Sequence, residues 1–129
     1  VGRDGAQGAR GGMGGGEWSH GVESLGGIQP DDIPSFTELG VGASMQPIHA
    51  PGTGFPVEPT ASIIGRDKAP YAYAWQTLRE AGAPMIFATD WPVSPIDPMA
   101  NLKAAVTRRK WAEGDPDQRQ SLGAAIASY

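Results

Sequence analysis

The chain has 129 residues, the length of one domain or part of one. Ten basic against fourteen acidic side chains leave a formal net charge of −4, and no basic stripe marks a nucleic-acid face. The absence of cysteine excludes disulfides, cysteine-ligated zinc, iron–sulfur clusters and a thiol nucleophile.

No apolar run approaches the roughly 20 residues needed to cross a bilayer. The first residues also lack the apolar stretch of a signal peptide, so no membrane partner is expected and the cytoplasm is the default compartment. With 19 glycines and 12 prolines, the chain far exceeds their ordinary combined share of about 12%. Eleven of the 19 glycines lie in residues 1–27. Glycine costs about 1 kcal/mol per helical position relative to alanine. Neither helical nor strand periodicity runs through most of that segment, so it is expected to be poorly ordered, with residues 28–129 as the folded part. It contains no G-x-G-x-x-G and no Gly-Lys-Ser/Thr, which removes a phosphate-binding loop from consideration.

Regular punctuation begins at Gln29. Pro30-Asp31-Asp32 precedes a short helix, with an aspartate as N-cap, a proline in the first turn and Gly40 as the stop. Val41 to Gln46 reads as a strand ending in Pro47-Ile48-His49. The Pro- and Gly-rich stretch from Ala50 to Lys68 reads as a long loop, of the kind that serves as a lid or stays disordered. Tyr71, Ala74, Trp75 and Leu78 fall at i, i+3, i+4 and i+7 and predict an amphipathic helix, stopped by Gly82 and Pro84.

Met85 to Thr89 is an apolar run expected of a strand covered on both faces, and Asp90 follows it directly. Asp97-Pro98 starts another helix, with Met99, Leu102 and Val106 as its buried side. Arg108, Arg109 and Lys110 close that helix as complements to its dipole, the alternative being an anion site. Leu122, Ala125, Ile126 and Tyr129 repeat the helical spacing at the end of the chain. Strands alternating with helices imply crossover connections and a parallel sheet. A whole parallel barrel needs about 250 residues, so this chain can supply only part of one.

His49 and Asp90 stand out by position, each just past a predicted strand, where parallel α/β folds gather ligands and catalytic groups. Imidazole with carboxylate oxygen suits zinc or a similar divalent ion. The plainer alternatives are an Asp90 that caps its turn and a His49 that is a hydrogen-bonded loop residue. Catalytic zinc usually takes three protein ligands. His20, with Glu23 three residues on, is a weaker candidate pair. A Ser44, His49 and Asp90 triad can be drawn but has no G-x-S-x-G elbow behind it. Asp31 and Asp32 are explained by capping.

The segments Glu38–Ala50 and Tyr73–Arg109 closely resemble the C-terminal part of amidohydrolase family 3, in the branch similar to N-substituted formamide deformylases. Met-Gln-Pro-x-His-Ala and Thr-Asp-Trp-Pro-Val-x-Pro, in that order, carry the resemblance, which covers roughly residues 29–129. It implies the C-terminal half of a (β/α)8 TIM-type barrel and a metal-dependent hydrolase. Such an enzyme cleaves small-molecule, amide-type C–N bonds other than peptide bonds with metal-activated water. His49 matches a metal-ligand histidine of the family. Asp90 matches the aspartate that lies beside the metal, zinc by expectation, and takes the proton of the attacking water. Trp91 and Pro92 would shape the pocket wall.

Departures accompany the matches. The family's Arg-His-Arg-x-Glu-His run corresponds here to Ser19–Ser24, so Ser24 stands at a ligand position. The early His-x-His pair is absent. Glycine is densest where the family carries an amphipathic helix, the pattern a disturbed reading frame would leave. The alternative to a hydrolase is therefore a non-catalytic remnant, inert or dependent on self-association or a complementary chain, because half a barrel leaves strand edges open.

Overall fold

The computed structural model describes residues 20–129. Three short parallel strands form one sheet in the order β1 (Gly21–Val22), β2 (Gly42–Met45) and β3 (Met85–Phe87). Five α-helices accompany them: α1 (Ile33–Leu39), α2 (Thr60–Ile64), α3 (Trp75–Glu80), α4 (Pro98–Thr107) and α5 (Leu122–Ala127). The expected parallel α/β order is present. Among the described residues it makes a three-stranded sheet, not a closed barrel. No helix of these residues is long and apolar enough to cross a membrane.

Residues 1–19, most of the glycine-rich segment, lie outside the described residues. Its last part enters the sheet, with Gly21 and Val22 in register with Gly42 and Ala43. A Cβ on Gly21 would sit 3.4 Å from the Gly42 carbonyl oxygen, so small residues on both strands permit the close pairing. Farther on, the Tyr73 N–H donates to Gly26 and the Ile28 N–H to Tyr71, tying this part of the chain to the entry of α3.

Alternation along β2 and β3 separates two faces. Ala43, Met45 and Phe87 join Phe36, Val41, Trp75, Leu78, Ala105 and Ala125 in the core, where Trp75 meets Phe87 edge to face at 6.3 Å. Ser44 and Ile86, paired across the sheet, belong to the opposite face. Ile86 is 45% exposed there, so β3 is not covered on both faces as its apolar run predicts. A continuous apolar run shows that both faces can be buried, not that a layer is present to bury them.

Several local expectations need correction. Asp32 makes no side-chain cap, because its backbone is already helical (φ −86°, ψ −17°) behind a 3-10 turn at Pro30–Asp32. The loop after β2 contains α2. The α3 helix starts at Trp75, since Ala69–Tyr71 winds as a 3-10 turn and Tyr73 has φ +49°. On α4 Leu102 and Val106 pack partly buried against the core as expected, but the fully buried residues are Asn101, Ala104 and Ala105, and Met99 is 65% exposed. On α5 Ala125 is buried, but Leu122, Ile126 and Tyr129 are exposed. Both helices approach through small residues, which bring backbones together at the cost of turning longer side chains outward.

Arg108 does more than close α4. It is buried, its guanidinium donates to the carbonyls of Tyr73 (2.5 Å) and Ala72 (3.0 Å), and it lies over the rings of Trp75 and Trp111 at 5.0 and 5.1 Å. Burial pulls its pKa down to about 10, against the opposing fields of Asp115, Tyr73 and Asp117. A cation enclosed by two indoles and two carbonyls is structural, so the anion-site alternative finds no support at this residue.

Candidate functional site

His49 ends a 3-10 turn, Pro47–His49, that begins two residues after the end of β2. Proline at its first position fixes φ there and sacrifices no intrahelical hydrogen bond. Three contacts pin the turn. The Ile48 N–H donates to Asn101 Oδ1 at 2.7 Å, Thr53 Oγ1 lies 3.0, 3.1 and 2.6 Å from the carbonyl oxygens of Pro47, Ile48 and Ala50, and the Gly54 N–H returns to Ile48 at 3.0 Å. A Cβ on Gly54 would lie 2.4 Å from the Ile48 carbonyl oxygen, so glycine is required by proximity. The imidazole is half-buried, Nε2 pairs with the Ser94 hydroxyl at 2.9 Å, and Phe55 stands edge-on at 5.6 Å.

Asp90 follows β3 by three residues and turns the chain sharply at φ +58°, a left-handed conformation that aspartate tolerates better than most residues. Its carbonyl accepts from the N–H groups of Val93 at 2.7 Å and Ser94 at 3.4 Å. Asp90 is exposed, so the burial cost anticipated for a carboxylate after an apolar run does not arise. Asp90 does act as a turn residue, but through its carbonyl. Ser94, buried in that turn, carries the connection across to His49.

The sheet brings a second acid to the same end of its strands. Glu23 directly follows β1, and its carboxylate accepts hydrogen bonds from Ser44 Oγ, Gln46 Nε2 and the Ser24 N–H. Partial burial raises its pKa, but the bonds from Ser44, the Ser24 amide and Gln46 outweigh this and leave it below the ordinary value. Ser44 therefore gives its proton to Glu23 and not to His49, so the Ser44, His49 and Asp90 triad does not form. Ser24 has φ +55° and is exposed. Among the described residues, no three His, Cys, Asp or Glu side chains converge as a metal site requires.

Asn101 is the residue that sequence reasoning missed. Fully buried on α4, it accepts from Ile48 beyond β2 and donates to the Ala88 carbonyl beyond β3 at 2.7 Å and to the Tyr129 hydroxyl at 3.2 Å. It ties together the two strand ends that carry His49 and Asp90. The signal was available: Asn101, Ala104 and Ala105 form an i, i+3, i+4 stripe of small residues, passed over for the larger Met99, Leu102 and Val106. Ser44 and Gln46, two polar residues at strand spacing, likewise marked a polar face.

An imidazole and a carboxylate thus follow neighbouring parallel strands, at the strand ends where α/β sheets bind ligands. Residues 4–129 match the amidohydrolase family, and the chain belongs to that family. Two solved structures resemble it. An uncharacterized metal-dependent hydrolase from Pyrococcus furiosus superposes with a TM-score of 0.69 at 28% identity, over 100% of this chain and 26% of its own. Another from Pyrococcus horikoshii OT3 gives 0.66 at 25% identity, over 84% of this chain and 22% of its own. The Arabidopsis thaliana protein LONG AFTER FAR-RED 3 is 29% identical over 103 residues, which is 77% of this chain and 17% of that protein. The chain thus spans about a quarter or less of the relatives it matches.

Proposed function

We propose that the chain is the C-terminal barrel segment of a metal-dependent hydrolase of amide-type C–N bonds other than peptide bonds, in the formamide deformylase-like branch. The observation that supports this reading is the position of His49 and Asp90 just beyond neighbouring parallel strands, whose ends are linked by Asn101 and by the Ser94 bond to His49. Imidazole nitrogen and carboxylate oxygen have the donor chemistry of a zinc site. They are two donors where at least three are usual, so the others would come from the remaining three quarters of the hydrolase.

A divalent ion, zinc by donor preference, would supply an acidified water and a polarised carbonyl. His49 would hold it. Asp90, exposed at its turn, would stand beside it and accept the proton released by the attacking water. Trp91 and Val93, exposed on the same turn, would face substrate and limit water around the reacting bond.

Zinc content and amide hydrolysis, measured on the chain and on the chain joined to the remainder of such a barrel, test this reading. The completed protein should hold about one equivalent, as a single catalytic site does. His49→Ala and Asp90→Ala should each lower it and abolish hydrolysis. Occupancy indifferent to both substitutions would overturn the proposal. A second reading, a non-catalytic remnant, is favoured by Ser24 at a ligand position and by the absence of a three-donor cluster among the described residues. It predicts no zinc in any combination.

A further inference from the structure

We propose that Ser94 is a positioning residue for His49, an inference that rests on the hydrolase reading above. Its hydroxyl accepts the Nε2 proton of the imidazole, which leaves the lone pair of Nδ1 free for the metal.

The Ser94 hydroxyl lies 2.9 Å from Nε2, and among the described residues no other hydrogen bond reaches either ring nitrogen. A neutral imidazole carries one proton, and a hydroxyl can donate or accept, so this bond can run in two directions. With Ser94 as donor, Nε2 spends its lone pair on the hydroxyl while Nδ1 carries the proton, and neither nitrogen can take an ion. With Ser94 as acceptor, Nε2 carries the proton and Nδ1 keeps a lone pair. The second direction is the one compatible with a ligand role, because binding through Nε2 would require the Ser94 bond to break.

Both partners are held in place. Ser94 is 5% exposed, so little water competes for its hydroxyl. Its N–H donates to the Asp90 carbonyl at 3.4 Å, which seats the hydroxyl on the same turn as the carboxylate. The imidazole is held by the Pro47–His49 turn and by Phe55, edge-on at 5.6 Å. Turning the ring over would set a carbon in place of Nε2 and forfeit the bond. Metal-binding histidines are generally oriented in this manner, by a partner on the nitrogen that does not touch the ion. The turn that carries Asp90 thereby also sets the ring of its neighbour.

The test is a long-range proton–nitrogen NMR spectrum of the imidazoles in the nitrogen-15-labelled chain, at a pH where they are neutral. The His49 signals are those lost in His49→Gln. Nε2 should appear protonated and Nδ1 unprotonated. Ser94→Ala should move the two nitrogens toward a common, averaged position, and Ser94→Thr, which keeps the hydroxyl, should restore the separation. In the completed protein Ser94→Ala should weaken zinc binding about tenfold or more, with recovery in Ser94→Thr.

A proton on Nδ1 in the unsubstituted chain would overturn the proposal, and that measurement needs no variant to fold. So would a tautomer unchanged in Ser94→Ala, or zinc bound through Nε2. His49-dependent zinc that is indifferent to Ser94→Ala would remove the positioning role and keep the hydrolase. A Ser94-dependent tautomer with no zinc retained would remove the hydrolase reading and support Ser94 as the residue that sets the ring.

Discussion

The two strand ends that carry His49 and Asp90 are held by opposite means. Beyond β2 the chain is fastened from several sides, by Asn101, by the Thr53 hydroxyl and by the close approach of Gly54 to Ile48. Beyond β3 Thr89 and Ser94 are buried, but the chain turns through an exposed left-handed aspartate and leaves Trp91 and Val93 in solvent. One end is therefore held in a single arrangement by bonds from distant and neighbouring residues. The other is a turn closed mainly on itself through the Asp90 carbonyl. Their connection runs through two polar side chains, Asn101 and Ser94, and it is there that the contrast is most readily broken.

Asn101→Ala carries the largest expected effect. It would leave the Ile48 N–H and the Ala88 carbonyl without their partner in a buried setting, each costing about 1–3 kcal/mol. Urea denaturation should therefore show a loss of about 3 kcal/mol, and the His49 ring signals should broaden as the turn loosens. A loss below about 1 kcal/mol would mean the two ends are held independently of Asn101.

Gly54→Ala comes next and tests the fastened side alone. Its Cβ would meet a backbone oxygen, not a flexible side chain, so the 50–55 turn must shift. Overpacking of this kind costs about 1–3 kcal/mol, read as a lowered denaturation midpoint. The Asp90 turn should be undisturbed. Shifts of the Val93 and Ser94 amides as large as those around His49 would show that the two ends move as one body.

The contrast also explains what the sequence made legible. The α4 start was readable, because Asp97 accepts from the Met99 N–H at 2.9 Å as an N-cap should. The stops at Gly40 and Gly82 were readable too, with φ of +60° and +86°. These features depend on a few consecutive residues. Asn101, Arg108 and Gln118 depend on distant partners: Gln118 accepts from the Gln76 and Thr77 N–H groups and caps α3 from more than forty residues away. No local pattern encodes that. The positions of His49 and Asp90 were legible as strand ends, whereas the Ser94 bridge between them required the fold.

On the exposed side, Asp90→Gly separates backbone from chemistry. Glycine adopts φ near +58° without the Cβ penalty of about 1–2 kcal/mol, partly offset by its greater freedom when unfolded. Stability should stay level or rise by up to about 1 kcal/mol while metal retention in the completed protein falls. A clear loss of stability would instead assign the carboxylate a structural bond in the turn.

The smallest effect is a pH dependence at Glu23, where β1 joins the strand ends that carry His49 and Asp90. Burial raises its pKa, but the hydrogen bonds from Ser44, the Ser24 amide and Gln46 leave it below the unfolded value of 4.5. The ionised form is therefore the one the fold prefers. Its contribution is complete above that value and is lost as pH falls through the lower folded value. Because Glu23 is exposed, solvent screening limits the contribution to below about 1 kcal/mol. Glu23→Gln should flatten the acid limb of a stability profile without altering it near neutrality by more than that amount. An unchanged acid limb would mean that Ser44 and Gln46 hold β1 equally well through a neutral side chain.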